Sequence, residues 1–383
     1  MRTTKDVIFS YLLTPLSWIY GAVTNVRNKL YDWHMLKAET FDVPIICVGN
    51  ITVGGTGKTP HVEYLIEYLS SVYNIAVLSR GYKRKTRGFV LGTHNSTPRT
   101  IGDESYQILS KYGNRVKIAV CESRRKGIRE LMNIDPSINL IILDDAYQHR
   151  SVEAKVKILL MDYNRPVYTD HVLPLGRLRE SKRAVGRADI VVVTKMPDDA
   201  APLQYRIVSN NLDLWAFQKL FFSRIDYGQP LPVFPDDSRY TVRLDSLTRN
   251  DIVLLLTGIA NPRPLVRYFK NFECRVKINH FPDHHDFSRN DLQRLQVRYD
   301  EMKGARKLIV TTEKDAVRLA NNPYFPEKLK PYIFYLPISV DMLGGIDGSN
   351  FINAVKSAIE ASPNNIGLRK GGSGDTDDLD KQE

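Results

Sequence analysis

Cysteine is scarce: the 383 residues hold three, Cys47, Cys121 and Cys274, an odd and widely spaced set. They make no disulfide framework and fit a reducing cytosol. No internal repeat is apparent. Acidic residues are outnumbered, 43 against 54 basic, for a net charge of +11. That excess favours a polyanionic partner: nucleic acid, an anionic membrane face or a phosphorylated substrate. The basic residues sit in separate loops with no recognisable recognition module, which argues against nucleic acid. From Ser362 onward the sequence has almost no apolar content, and 362–383 is expected to be a disordered tail. The remaining composition, 43% hydrophobic and 25% charged, is that of a globular protein long enough for two domains.

Charge is also missing from 7–26, VIFSYLLTPLSWIYGAVTNV. The length suffices to cross a bilayer, but Thr14, Pro15, Ser17 and Gly21 interrupt it, and Tyr11, Trp18 and Tyr20 suit an interface. No small-x-small cleavage site follows, so a removable signal peptide is not expected. Arg27 and Lys29 come next. The segment reads as a membrane anchor, spanning or lying at the interface, with a buried N-terminal helix as the alternative. Residues 1–38 are therefore set apart as a membrane-associated helical segment.

Beyond it, apolar runs rich in Val, Ile and Leu recur at 43–50, 74–81, 116–121, 139–145, 156–162 and 189–195. Their lack of alternation marks strands covered on both faces. Helical stretches such as 60–71 and 103–112 lie between them, so 39–228 reads as a mostly parallel, doubly wound α/β sheet. Pro, Gly and Asp clusters over 222–245 suggest a linker. A second set of runs, at 251–260, 274–281, 306–316 and 332–340, makes 229–361 a smaller C-terminal α/β domain.

The run CVGNITVGGTGKTP (47–60) lacks one glycine. The phosphate-loop pattern G-x-x-x-x-G-K-[ST] requires Gly five residues before Gly57, where Thr52 stands. The context is otherwise complete: a buried strand, a glycine-rich turn, and Pro60 opening a helix. Thr52, Gly54, Gly55, Thr56, Gly57, Lys58 and Thr59 would cradle a nucleotide's phosphates through backbone amides and the helix N-terminus. Lys58 would reach the β- and γ-phosphates and Thr59 a Mg²⁺ ion. Gly49 and Gly54 are expected to lend the freedom that Thr52 removes. Asp144 and Asp145 close a buried strand and would face this loop as Mg²⁺ ligands. In VVVTKMPDD, Pro197 occupies the place of the Asp that would read guanine, which favours ATP. The fold class is thus P-loop NTPase-like.

With these residues in hand, the chain resembles the tetraacyldisaccharide 4′-kinases, the lipid A 4′-kinases of Gram-negative bacteria. VGNITVGGTGKTP resembles that family's loop, missing glycine included. LSRGYKR (78–84), GDE (102–104), DDAYQHR (144–150), LPLGRLRE (173–180), DHH (283–285) and TTEKDA (311–316) follow in order, so the likeness covers about 10–360. Ala146-Tyr147 departs from the Gly-Phe of many members.

The resemblance implies transfer of the ATP γ-phosphate to the 4′-hydroxyl of an acylated glucosamine disaccharide 1-phosphate lipid. It implies a location at the cytoplasmic face of the inner membrane and no obligatory protein partner. Asp103 opens a helix, where Asp commonly serves as an N-cap; the resemblance implies instead that it is the base, with Glu104 on Mg²⁺. It favours His284, next to His285, as the histidine that assists Asp103, over a metal cluster in NHFPDHHDF. Arg124, Arg125, Gln148, His149, Arg177 and Arg179 are the candidates for the lipid's phosphate and sugar. TTEKDA carries no assigned role beyond packing or a hinge. A membrane-tethered regulatory NTPase without a lipid acceptor is the competing reading.

Overall fold

A computed structural model describes residues 4–238, 241–344 and 348–361, with 4–12 by backbone only; the expected tail lies outside them. Helix α1 (Thr4–Asp32) leads into strand β1 (Ile45–Gly49), helix α2 (Lys58–Leu69) and strands β2 (Ile75–Ser79) and β3 (Val90–Leu91). Helices α3 (Pro98–Ile101) and α4 (Asp103–Tyr112), strand β4 (Lys117–Val120), helix α5 (Arg124–Ile134) and strands β5 (Leu140–Asp144) and β6 (Val156–Asp162) follow. Strand β7 (Ile190–Thr194), helix α6 (Pro202–Leu212) and strand β8 (Lys219–Tyr227) complete this run. The second lobe holds β9 (Leu231–Pro232), β10 (Ile252–Thr257), α7 (Arg263–Phe269), β11 (Arg275–His280), α8 (Arg289–Asp300), β12 (Lys307–Thr312), α9 (Glu313–Ala320) and β13 (Ile333–Leu336). The chain ends in β14 (Ile338–Leu343) and α10 (Ser349–Glu360).

The first sheet runs β14-β8-β7-β6-β1-β5-β2-β4-β3. It is parallel except for its two edge strands, β14 and β3. The continuous apolar runs are explained by two cores. In β1, Ile45 and Cys47 join a cluster with α5 and α6, while Ile46 and Val48 join one with α2 and α10. Both faces are buried, so alternation has no polar face to mark. β1 lies between β5 and β6, with Val48 in register with Asp144. The loops leaving β1 and β5 therefore emerge side by side at the carboxyl end of the sheet, where such folds bind ligands. The second sheet, β11-β10-β12-β13-β9, repeats the logic: Leu254 and Leu256 pack towards α8 and α9, Val253 and Leu255 towards α7.

Three expectations change. Residues 222–227 belong to β8 rather than to a linker. The single strand expected over 332–340 is two, because Pro337 cannot donate to a ladder; β13 stays in the second sheet and β14 crosses to pair with β8. The last part of the expected C-terminal domain, β14 and α10, thus belongs to the first lobe, and the lobes are joined by two strand crossings beside one another. Gly228 N–H donates to Pro337 O there (2.9 Å). Finally, the apolar run of TTEKDA stops at Thr312, whose Oγ1 caps α9 by accepting from Asp315 N–H.

Among the described residues no helix is long and apolar enough to cross a membrane. Instead α1 is tied along the first lobe. Ser17 Oγ donates to Val172 O (2.6 Å), Asn28 to Glu180 (2.7 Å) and Arg27 to Gln148 O (2.7 Å). Its other side exposes Leu16, Trp18, Ile19, Val23 and Val26.

The lobes meet where α4 faces α9. Lys111 of α4 pairs with Glu63 of α2 (2.7 Å) and with Glu313 of α9 (2.5 Å), and Gln107 also donates to Glu63 (2.7 Å). Burial pushes the Glu63 carboxyl up to about 7, against the pull of Lys111. One cation thus serves two buried carboxylates. Lys111→Met should cost about 3 kcal/mol of stability, as breaking a buried pair does. Because a carboxyl with a raised folded pKa destabilises as it ionises, the deficit should be largest at pH 8 and shrink towards pH 5. Urea denaturation at the two pH values measures it; a deficit independent of pH would contradict this reading.

Candidate active site

The loop after β1 owes its path to two glycines in the left-handed region, Gly54 (φ +119°) and Gly57 (φ +85°). Gly49 matters for closeness instead: a Cβ there would stand 2.7 Å from Tyr147 Cβ. Gly57 leads directly into α2, so Lys58 and Thr59 are its first residues. Thr52 is buried, and its backbone bridges Leu178. Thr56 is buried as well, with Oγ1 accepting from Asn50 Nδ2 (2.9 Å). These two threonines shape the loop from within, while Gly54, Gly55 and Gly57 expose backbone.

Residues outside the motif hold the loop, and sequence reasoning missed them. Buried His61 bonds Gly57 O through Nδ1 (2.7 Å) and Ser223 Oγ through Nε2 (2.9 Å). Burial lowers its pKa to about 4, so the ring is neutral: Nδ1–H donates and Nε2 accepts. Thr194 Oγ1 donates to Thr56 O (2.9 Å). Lys195 reaches Gly55 O and the Asp162 carboxylate (2.7 Å). The signal for these last two was the strand end VVVTK, read only for the missing guanine-reading Asp.

The β5 end brings its acids to this loop. Asp145 (φ +48°) pairs with Lys58 (3.5 Å) and Arg179 (3.2 Å). Burial opposes its charge, but Lys58 and Arg179 outweigh that and hold its carboxyl below the usual range. Asp144 is the opposite case. Burial, reinforced by Asp145, pushes its carboxyl up to about 7, and its Oδ1 is buried with no hydrogen-bond partner. Glu104 adds a further negative charge nearby. No group of three His, Cys, Asp or Glu among the described residues could hold a metal unaided. Asp144, uncompensated beside a phosphate loop, nevertheless fits Mg²⁺, which binds through one or two carboxylates with substrate phosphates and waters completing the shell.

Asp103 is not an N-cap. Gly102 caps α4 with φ +85°, and Asp103 is the first helical residue. Its Oδ2 takes three contacts from the other lobe: His284 Nδ1 (3.3 Å), Arg318 Nε (3.1 Å) and Arg318 Nη2. Burial works against its charge, but the bonds from His284 and Arg318 and the charge of Arg318 hold it down at about 2. Lys314 Nζ lies 2.8 Å from His284 Nε2 and 3.0 Å from Glu104 Oε1. Arg318 Nη2 also lies 2.9 Å from His284 Nδ1, so each ring nitrogen faces a cationic donor, and Nδ1 faces Asp103 Oδ2 as well. His284 itself sits at φ +58° and packs edge-on against Tyr82. His285 turns elsewhere, to Asp291 (2.9 Å) and a stack on Phe281. His280 bonds Thr257 (3.2 Å).

The six candidates for the acceptor's phosphate and sugar separate. Arg124 is fully buried, donating to Cys121 O (2.7 Å) and Asp144 O (3.4 Å). Arg179 and Gln148 lie together, Nη1 to Oε1 3.4 Å, and Gln148 Nε2 also donates to Asn50 O (2.7 Å). His149 is partly buried, and burial with the Arg124 and Arg80 charges lowers its pKa to about 4. Arg125 and Arg177 are exposed. TTEKDA acquires a clear place, since Glu313 and Lys314, with Arg318 one turn on, are what α9 presents to the first lobe.

Comparison with known proteins agrees with this geometry. A family profile described as Tetraacyldisaccharide-1-P 4′-kinase matches residues 9–360. Tetraacyldisaccharide 4′-kinase of Bacteroides thetaiotaomicron is 50% identical over 86% of this chain and 88% of its own. That of Parabacteroides distasonis is 45% identical over 89% of this chain and 92% of its own. The crystal structure of LpxK from Aquifex aeolicus in complex with ATP superposes with a TM-score of 0.68 at 27% identity, covering 92% of this chain and 99% of that one. Profile, relatives and fold all span nearly the whole chain, and it belongs to the tetraacyldisaccharide-1-P 4′-kinase family.

Proposed function

We propose that the two lobes divide the family's reaction between them: the first holds the triphosphate and the second completes the base. ATP lies with its phosphates on Gly54, Gly55, Gly57 and the α2 N-terminus, where free amides and the helix field favour anions. Lys58 leaves Asp145 for the β- and γ-phosphates. Thr59 and Asp144, with Asp145 and Glu104 beside them, would hold Mg²⁺, which when bound neutralises charge on the transferring group. The acceptor's 4′-hydroxyl gives its proton to Asp103 as its oxygen bonds the γ-phosphorus; the bond to the β–γ bridging oxygen breaks and ADP leaves. His284 packs its Nδ1 beside the same carboxylate oxygen that Arg318 holds. The observation that carries this reading is the Asp103–His284 contact across the lobe boundary, on the same side as the phosphate loop.

Arg179, Gln148, His149, Arg125 and Arg177 are the groups available to the acceptor's sugar and 1-phosphate. Guanidinium forks suit phosphate, and Arg179 stands between Asp145 and Gln148, close to the transfer point. Arg124 supports the β5 end from beneath rather than meeting the lipid. The exposed apolar side of α1, followed by Arg27 and Lys29, supports binding at the interface of an anionic membrane, the cytoplasmic face of the inner membrane.

Two outcomes test this. With radiolabelled ATP and a disaccharide 1-phosphate acceptor, label should move to the lipid, and Lys58→Ala or Asp103→Asn should slow that transfer about a hundredfold or more; near-normal turnover of Asp103→Asn would remove the base assignment. Replacing Trp18 and Ile19 by Ser should weaken co-sedimentation with anionic vesicles while transfer to a detergent-dispersed acceptor persists. Unchanged vesicle binding would remove α1 from the membrane contact.

A further inference from the structure

Resting on the base assignment above, we propose that Arg318 is a positioning residue: its guanidinium fork grips Oδ2 of Asp103 and so turns Oδ1 towards the acceptor hydroxyl. The two nitrogens Nε and Nη2 meet the same oxygen, and Nη1 is steadied by Asp315 (3.4 Å). Among the described residues, Oδ1 has no hydrogen-bond partner. Arg318 is itself largely enclosed, with a side chain 10% exposed, so it has little freedom to swing away. Lys314, one turn earlier on α9, does the matching task for His284. Its Nζ meets Nε2 while Arg318 Nη2 meets Nδ1 (2.9 Å), so both nitrogens of the ring are held from α9. Asp315 anchors the pair: it accepts from Thr312 and from Gly258 N–H (2.8 Å). The peptide at Gly258 in turn accepts from His284 N–H (3.1 Å). One short helix thus sets both members of the dyad, and TTEKDA gains a function.

The groups facing Asp103 are His284, Arg318 and Lys314 from the second lobe, with Glu104 on its own helix. Asp283 and Asp315 stand behind Lys314 and Arg318.

Four forms of the full chain test this in the ATP-to-lipid assay: Arg318→Met, Arg318→Lys, Asp103→Asn, and the Asp103→Asn/Arg318→Met double variant. Arg318→Met should lower kcat about a hundredfold, as misplacement of a reacting group does, with ATP affinity within about twofold. Arg318→Lys, which keeps the charge and loses the fork, should leave kcat low. The double variant should be no slower than Asp103→Asn alone. A wild-type kcat in Arg318→Met or Arg318→Lys, or a double variant slower by the product of the two single losses, would each overturn the inference. Wild-type turnover by Asp103→Asn would instead sink the base assignment beneath it.

Discussion

The carboxylate of Asp103 is buried, and the groups that hold its charge come from the other lobe. Everything at this site depends on that pairing. Asp103 is fixed at the start of α4 by the positive φ of Gly102, and His284, Lys314 and Arg318 are fixed by the second sheet and α9. Neither lobe alone assembles this contact set.

The phosphate loop obeys a different constraint. Its missing glycine is tolerated because Thr52 lies inside the loop, bridged to Leu178, while φ > 0 is needed only at Gly54 and Gly57. The loop is then pinned by His61, Thr194 and Lys195 from α2 and the β7 end. Of the carboxylates opposite, Asp145 is already paired with Lys58 and Arg179, whereas burial and Asp145 push the Asp144 carboxyl up to about 7 and leave one of its oxygens unpaired. A cation with a triphosphate would reverse both conditions.

Much of this was legible in the sequence, for physical reasons. Buried parallel strands leave continuous Val, Ile and Leu runs, and β1, β2, β5, β6 and β7 fall within a residue or two of where those runs put them. The phosphate loop, the Asp144–Asp145 pair and Asp103 lie on local motifs, and local motifs survive reading in one dimension. What the chain concealed was long-range. Pro337 divides one apolar run between two sheets, and nothing nearby tells which sheet each half joins. Arg318 lies outside every motif, and its partner is 215 residues away. His61 looks like an ordinary helix residue until its ring is seen between Gly57 and Ser223. Arg124, read as a lipid contact, proves to be wholly enclosed beneath the β5 end.

The central claim is that Asp103, held from across the lobe boundary, receives the acceptor's proton beside a triphosphate on the β1–α2 loop. A crystal structure of the chain with a non-hydrolysable ATP analogue, Mg²⁺ and the disaccharide acceptor tests it most directly. The account predicts the γ-phosphate on Lys58 and the 4′-hydroxyl within hydrogen-bond reach of Asp103 Oδ1, with Arg318 still on Oδ2. A hydroxyl held by another residue, with Asp103 turned away from it, would contradict the account.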